Sequence, residues 1–428
     1  MAVRRPAWGL VALLCATATA GYLCRVNAST AGALLMHEFG LSQVAMGRVF
    51  SAFLLGYALC MVPAGAIADR WGARRVLTVA AWSWTALTLL QALVGWGPFA
   101  AVVAALPALL ALRFLLGMAA APTYPASAAG ISGWIPAPLH GRAAGIVLAS
   151  IGLGSAIAPP LLSLVMVRWG WRASLVVSAM PALVVSVLWL VVREPNPAAA
   201  PADPASRRPQ RRSVPWHLLR RRSFALLTAS YTLQGYVGYI FVFWFYLYLV
   251  QERHFDLLQG AWMSSVPWLL SIASIPLGGW LADRLATGRL GPRWGLRVVP
   301  MAGLTASGAL IGVGAHTTNA WVAALALAFA TALVLCVEGP FWACLTRLAG
   351  PGSGTAGGVM NLGSNIGGLI SPALTPVLAA WIGWEHALHV AAVLAVIAAL
   401  LWLGIEPADG PHDDEQDVAK VGRAEASH

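Results

Sequence analysis

Charge is scarce in this chain. Asp, Glu, Lys and Arg together make up 10% of 428 residues, against 59% hydrophobic residues. The mean hydropathy is +0.73. A soluble domain does not stay in water with so little charge, so composition predicts a polytopic membrane protein. Acids are scarcer than bases, 16 Asp and Glu against 27 Lys and Arg, for a net charge of +11. That excess does not signal nucleic acid. The basic residues, almost all arginine, lie in short loops between apolar runs rather than on one polar face. Cysteine is scarce too. Cys15, Cys24, Cys60, Cys336 and Cys344 sit in or at the ends of apolar segments and form no C-x-x-C pair. Buried inert thiols are expected there, not disulfides or metal ligands. The sequence has no nucleophile elbow, no Walker loop and no metal-spaced His/Cys set. It therefore reads as a non-enzyme without cofactor or metal.

Apolar length is what the chain has. Twelve runs are each long enough to cross a bilayer, near 8–31, 44–66, 76–96, 99–129, 143–167, 173–193, 224–250, 260–281, 298–315, 320–345, 356–380 and 386–405. The first run follows Arg4 and Arg5 and resembles a signal peptide, with a cleavage-like Ala-Thr-Ala near its middle. It continues past position 20 and is needed for an even count, so an uncleaved first helix is expected.

Arginines orient the spans. Arg4, Arg5, Arg70 to Arg75, Arg142, the 207–222 cluster, Arg284 to Arg297 and Arg347 fall on one side. Arg48, Arg168, Arg172 and Arg253 fall on the other. The positive-inside rule then predicts cytoplasmic termini. Segment 194–222 is proline-rich and then basic, and reads as a cytoplasmic linker whose basic end meets anionic lipid. It separates a six-helix bundle over 1–193 from a second over 223–405. Residues 406–428 read as a disordered, acidic cytoplasmic tail.

The halves repeat. Gly141, Ala143, Gly145, Gly154, Pro159 and Leu161 recur at one constant offset as Gly354, Ala356, Gly358, Gly367, Pro372 and Leu374. Gly170-Trp171 recurs as Gly383-Trp384. A half-chain period predicts an all-α membrane fold of two parallel bundles facing a central cavity. The charged stretch from Gly65 to Arg75 also has a weaker copy, Gly278 to Arg284. In these, Gly65, Asp69, Arg70, Gly72 and Arg74, with Asp283 and Arg284, are expected at tight turns on one membrane face, as a gate that pairs across the seam in one state and parts in the other.

The stretch Gly65 to Arg75 resembles the loop between helices 2 and 3 of the major facilitator superfamily. Further residues resemble the anion:cation symporter family. These are Tyr22 to Asn27 in span 1, Phe53 to Ala58 in span 2, Arg113 to Gly117 with Pro122 and Pro125 in span 4, Gly170 to Arg172, Glu338 to Trp342 in span 10, and Asn361 to Pro372 in span 11. The resemblance covers nearly the whole chain. It implies the twelve-helix major facilitator fold, a monomer in the bacterial inner membrane, and import of small organic anions, usually with protons. The family pattern often has Asp just before the span-1 arginine and Glu in the span-4 motif. Here Cys24 and Ala120 stand in those places, so the coupling proton needs another carrier, or coupling is lost.

Individual residues carry the chemistry. Arg25 lies deep in the first span, where a charge costs several kcal/mol unless it is paired or faces water. No acid is near it in sequence. A guanidinium grips a carboxylate with two parallel hydrogen bonds, which makes Arg25 the candidate anion clamp. The resemblance implies the same role. Arg113 either adds to a positive cavity field or serves as a structural or gating pair. Glu338 is the one acid inside an apolar span and the candidate proton carrier, unless it only pairs or hydrogen-bonds within the fold. Tyr57, Gln234, Trp342, Asn361 and Asn365 bring polar atoms to membrane depth, so cavity contacts or interhelical bonds are expected of them. The aromatics of span 7, Tyr239 among them, read mostly as core or interface-belt residues. The expectation is thus a proton-coupled importer of a small carboxylate, such as a sugar acid, dicarboxylate or aromatic acid. A uniporter or exchanger of the same anions, an exporter of drugs or other organic compounds, and a non-translocating receptor are the rivals.

Overall fold

The computed structural model describes residues 8–97, 104–136, 139–192, 220–288, 290–349 and 353–406. The predicted linker falls almost wholly outside the described residues, as do Arg4, Arg5 and the tail beyond Glu406. The described residues are helical, with no strand among them. In chain order the helices are α1 Trp8–Thr30, α2 Gly32–Phe39, α3 Gln43–Trp71, α4 Ala73–Ala92, α5 Ala105–Ala120, α6 Thr123–Trp134 and α7 His140–Val191. The second half follows with α8 Arg222–Phe243, α9 Phe245–Gln251, α10 Leu257–Thr287, α11 Gly291–His316, α12 Ala320–Cys336, α13 Glu338–Ala349 and α14 Ser353–Leu401.

Eight helical stretches are long and apolar enough to cross a membrane, and the bent pair α8 and α9 makes a ninth. Two of these are double. Helix α7 has 52 residues and α14 has 49, and each breaks at one residue. Gly170 has φ 80 and ψ 171, and Gly383 has φ 82 and ψ 159. Only glycine adopts such angles readily, so each reverses the chain between two crossings. With α4, which spans 20 residues, the count reaches the predicted twelve. The repeat seen in the sequence is therefore also a repeat of backbone conformation.

Side chains follow the solvent. Leu59, Val191, Trp262 and Trp381 are largely exposed, as suits faces that meet lipid rather than water. Trp84, Trp189, Trp244 and Trp402 are fully buried between helices. All five cysteines are free; Cys24 and Cys344 are buried and the others half-buried. Ser42, Asp256 and Asn319 cap α3, α10 and α12 by accepting backbone N–H bonds.

The charged motif is less of a loop than the sequence suggests. Helix α3 runs through Asp69 and Arg70 to Trp71, and only Gly72, at φ 79, separates it from α4. The second copy lies inside α10, which continues to Thr287. Arg70 lies in the last turn of α3 and Arg284 in the last turn of α10, whereas Arg74 and Arg75 open α4. The last-turn carbonyls of α3 and α10 carry the negative end of the helix dipole, which favours Arg70 and Arg284.

The halves touch at the end remote from the chain termini. There Ser51 donates to the Leu369 carbonyl at 2.8 Å, and the Ser163 and Tyr246 hydroxyls lie 3.2 Å apart. Gln43 bonds Gln251 at 3.2 Å and accepts from the Trp384 indole at 3.1 Å. Phe50 stacks on Phe243 at 5.2 Å. A Cβ added at Gly47 would fall on the Pro372 carbonyl oxygen, so glycine permits this close approach. At the other end, a Cβ at Gly65, Gly145 or Gly358 would meet no atom within 4 Å.

Candidate functional site

Arg25 lies in the second half of helix α1, among buried residues. Its neighbours come from several elements: Tyr22 one turn back, Phe53 and Tyr57 on α3, Trp84 on α4, and Tyr124 on α6. Together with Ala120 and Thr123 these residues line a void of about 30 Å³. That is room for a carboxylate-sized group or a few waters. Anything larger must extend out of it.

Arg25 is 7% exposed. Its guanidinium sits 5.1 Å from the Phe53 ring centroid, 5.2 Å from that of Tyr22, and 5.6 Å from those of Tyr57 and Tyr239. Aromatic faces attract a cation and partly replace its lost water. Its polar bonding is incomplete. One Nη donates to the Tyr239 hydroxyl at 3.0 Å, the other reaches Tyr22 at 3.5 Å, and Nε has no partner. Among the described residues it makes no ion pair. A cation held this way retains donors for an incoming anion.

Arg113, on α5, is wholly buried behind this void. It donates to the carbonyls of Cys24 at 3.2 Å and Arg25 at 2.7 Å, and to Asn27 Oδ1 at 3.2 Å. These groups hold the segment of α1 that carries Arg25. Of the two departures from the family pattern, Cys24 turns its thiol to the Ser178 carbonyl at 3.5 Å. Ala120 lines the void beside Arg25, so the void has no carboxylate in its wall.

A second polar cluster lies in the other half. Glu338 opens α13 at the break after Cys336. Its carboxylate accepts from the Tyr231 hydroxyl at 2.8 Å and from Gln234 Nε2 at 3.1 Å. Gln234 also donates to the Val334 carbonyl at 3.2 Å. Glu338 is half-buried and makes no ion pair among the described residues. Trp342, one turn on, is 40% exposed.

The predicted site residues thus form two groups. Arg25, Tyr57 and, behind them, Arg113 belong to the first half; Gln234, Glu338 and Trp342 belong to the second. Asn365 Nδ2 is taken up by the Asn361 carbonyl at 2.8 Å, and its buried Oδ1 is without a partner. Tyr239, on α8 of the second half, reaches across to the first group and bonds Arg25. Along the chain Tyr239 is indistinguishable from the core and belt aromatics around it, because a tyrosine amid seven nearby aromatics carries no mark of its own. Tyr22 and Phe53 were visible as parts of motifs, without roles.

Of the motif residues, Arg74 donates to the Trp189 and Leu190 carbonyls at 2.9 and 2.6 Å and so caps the end of α7. Arg70 and Asp283 are exposed, and Arg284 lies over the Trp280 ring at 5.4 Å. The Asp69 side chain lies outside the described part.

Known proteins give this geometry a setting. A probable sulfoacetate transporter of Cupriavidus necator is 28% identical over 96% of both chains. A hexuronate transporter of Bacillus subtilis is 27% identical, covering 89% of this chain and 90% of its own. A D-galactonate transporter of Escherichia coli is 26% identical, covering 89% and 91%. Among solved structures, an inward-facing, occupied bacterial homolog of the human lysosomal transporter Spinster superposes with a TM-score of 0.77 at 18% identity, over 92% of this chain and 96% of that one. A D-xylose-proton symporter superposes at 0.75 and 16% identity, over 93% and 98%. These structures share the fold. The relatives are transporters, not enzymes. The Major Facilitator Superfamily profile matches residues 13–362 and 285–426, and this chain is a multi-pass membrane transporter of that superfamily.

Proposed function

We propose that the protein imports a small organic anion across the bacterial inner membrane by alternating access, with a proton as coupling ion and both termini in the cytoplasm. One observation carries the anion reading: Arg25 is buried, faces a void, and keeps unused donors with no acid to pair it among the described residues. A buried unpaired charge is costly and persists where a ligand or function requires it. The sulfoacetate, hexuronate and galactonate carriers among its relatives support the same substrate class. The halves meet at the end remote from the termini, so the conformation is inward-facing on this orientation. In the alternate state, the Gly65–Arg75 and Gly278–Arg284 helix ends close against the opposite half.

Glu338 carries the coupling proton in this reading. It is an acid at membrane depth, half-buried, and makes no ion pair among the described residues. The void around Arg25 offers no acid of its own. The test is uptake of a labelled sugar acid into vesicles with and without an imposed pH gradient. Arg25→Ala is expected to abolish uptake. Glu338→Gln is expected to retain exchange while losing accumulation driven by the gradient. Uptake indifferent to the gradient in the unaltered protein would replace symport by uniport or exchange. Stabilisation of the purified protein by cations or neutral drugs alone would overturn the anion reading.

A further inference from the structure

The repeat is broken at its tryptophans. Gly170-Trp171 and Gly383-Trp384 are equivalent in the two halves, yet their indoles go different ways. Trp171 donates within its own half, to Glu38 on α2. Trp384 donates across the seam, to Gln43 Oε1 at 3.1 Å. An indole N–H only donates, so it fixes the Gln43 amide with Oε1 toward Trp384 and Nε2 away from it. That Nε2 reaches Gln251 Oε1 at 3.2 Å and Glu252 Oε1 at 3.4 Å. Gln43 is the first residue of α3, and both ends of its amide are spent on the opposite half.

The partners of Gln43 are gathered by α9. This short helix is bent by 50° from α8. Tyr248 on α9 and Trp244 before it pack their rings on Trp384, with centroids 5.7 and 5.5 Å apart. Gln251 ends α9 and Glu252 follows. The next residue, Arg253, ties the helix to its own half. It donates to the Gly314, Ala315 and Thr317 carbonyls at 2.7, 3.0 and 2.6 Å and to the Tyr248 hydroxyl at 2.7 Å. Bonds from a guanidinium are roughly twice as strong as bonds between neutral groups. When the seam parts, α9 therefore stays with the second half and the bonds of Gln43 give way. Gln43 is half-buried and Glu252 is exposed, so water takes over their bonds at little net loss. An amide here closes the seam without locking it.

We infer that Gln43 is the latch of the seam remote from the termini, and that its amide sets how often that end opens during transport. This rests on the alternating-access reading above and names a residue that governs it. The latch depends on charge as well as reach. A carboxylate at position 43 still accepts from Trp384, but it has no donor for Gln251 and stands against Glu252, where like charges repel. An amide at position 252 removes that repulsion and supplies the missing donor.

Spin labels introduced at Arg168 and Trp381 read the seam. These exposed positions are equivalent in the repeat and lie on opposite halves. Distance distributions are measured on the purified full-length protein in lipid nanodiscs, at low ionic strength so that the charges are not screened. The proteins compared are the parent, Gln43→Glu, Gln43→Glu combined with Glu252→Gln, and Gly47→Val. In Gln43→Glu the longer-distance population should rise at least fivefold. Adding Glu252→Gln should return it to within twofold of the parent, which a mere loss of packing would not allow. A distribution in Gln43→Glu equal to the parent's would overturn the inference, as would the absence of recovery in the combined variant. If Gln43→Glu does not fold, Trp384→Phe takes its place. It keeps an aromatic ring, removes the indole N–H and should raise the longer-distance population at least twofold; an unchanged population overturns the inference. Gly47→Val is the control. If it lengthens the distance and Gln43→Glu does not, the latch is lost and alternating access stands. If neither variant changes the distribution, the alternating-access reading falls with it.

Discussion

One Nη of Arg113 donates to the backbone carbonyl of Arg25 at 2.7 Å, so one buried arginine holds another in place. The two have opposite relations to stability. Arg113 donates to two carbonyls and an amide oxygen of α1, and removing it loses those three bonds and leaves a cavity. A lost hydrogen bond to a charged group costs about 1.5–3 kcal/mol. Arg25 is itself under-bonded, and its removal relieves a buried charge. Arg113→Ala is therefore expected to lower the melting temperature of the unliganded protein and to weaken anion binding. Arg25→Ala should leave that temperature unchanged or higher and abolish binding. Thermal denaturation with and without ligand separates the two.

Arg25 gives up little when it leaves Tyr239. One neutral hydrogen bond is worth about 1 kcal/mol net. Tyr239→Phe should thus keep anion affinity within about fivefold. Arg25→Lys retains the charge but not the planar fork that makes two parallel bonds to a carboxylate. Its affinity should fall at least tenfold, read by titration calorimetry at constant salt. Equal losses for both variants would show that the fork is not what holds the anion.

Gly47 bears on the seam remote from the termini. Any side chain there meets the Pro372 carbonyl oxygen and the Pro376 ring. Gly47→Val should hold this end open while leaving each half folded. Spin labels at Leu41 and Trp381, on opposite sides of the seam, should report a longer distance than in the parent protein. Transport should fall at least tenfold. An unchanged distance would mean that this contact does not govern closure.

At the same surface, Arg172 donates to Glu38 at 2.6 and 3.1 Å, and the Trp171 indole donates as well. The bonds from Arg172 hold the Glu38 carboxyl below its ordinary value of 4.5. A carboxyl lowered in the folded state adds stability where it is ionised in both states, above that value. The contribution fades as pH falls below it through the folded-state value. The side chains are 29% and 37% exposed, so solvent screening limits the pair to about 1 kcal/mol or less. Melting temperature should decline from about pH 5 to pH 3, and Glu38→Gln should flatten part of that decline. An identical slope in the variant would assign the acid sensitivity elsewhere.

The sequence by itself determined the class and the count of crossings. Apolar runs must cross the membrane as hydrogen-bonded helices, because a bilayer offers the backbone no water. The doubled pattern around Gly170 and Gly383 fixed two like halves, and the depth of Arg25 and Glu338 singled them out as costly charges. Tertiary structure decided what each charge does. Arg113 and Arg25 look alike along the chain, and only packing turns one to α1 carbonyls and the other to a void. Tyr239 becomes part of the site only because α8 passes Arg25 from the opposite half. Hydropathy alone puts the Asp69 and Asp283 motifs in turns, whereas helix propagation carries Asp69 into the end of α3 and Asp283 into α10. Depth in a membrane is a local property of hydropathy and can be read residue by residue. Partnership is a property of which helices approach one another, and that is settled only when both bundles are packed.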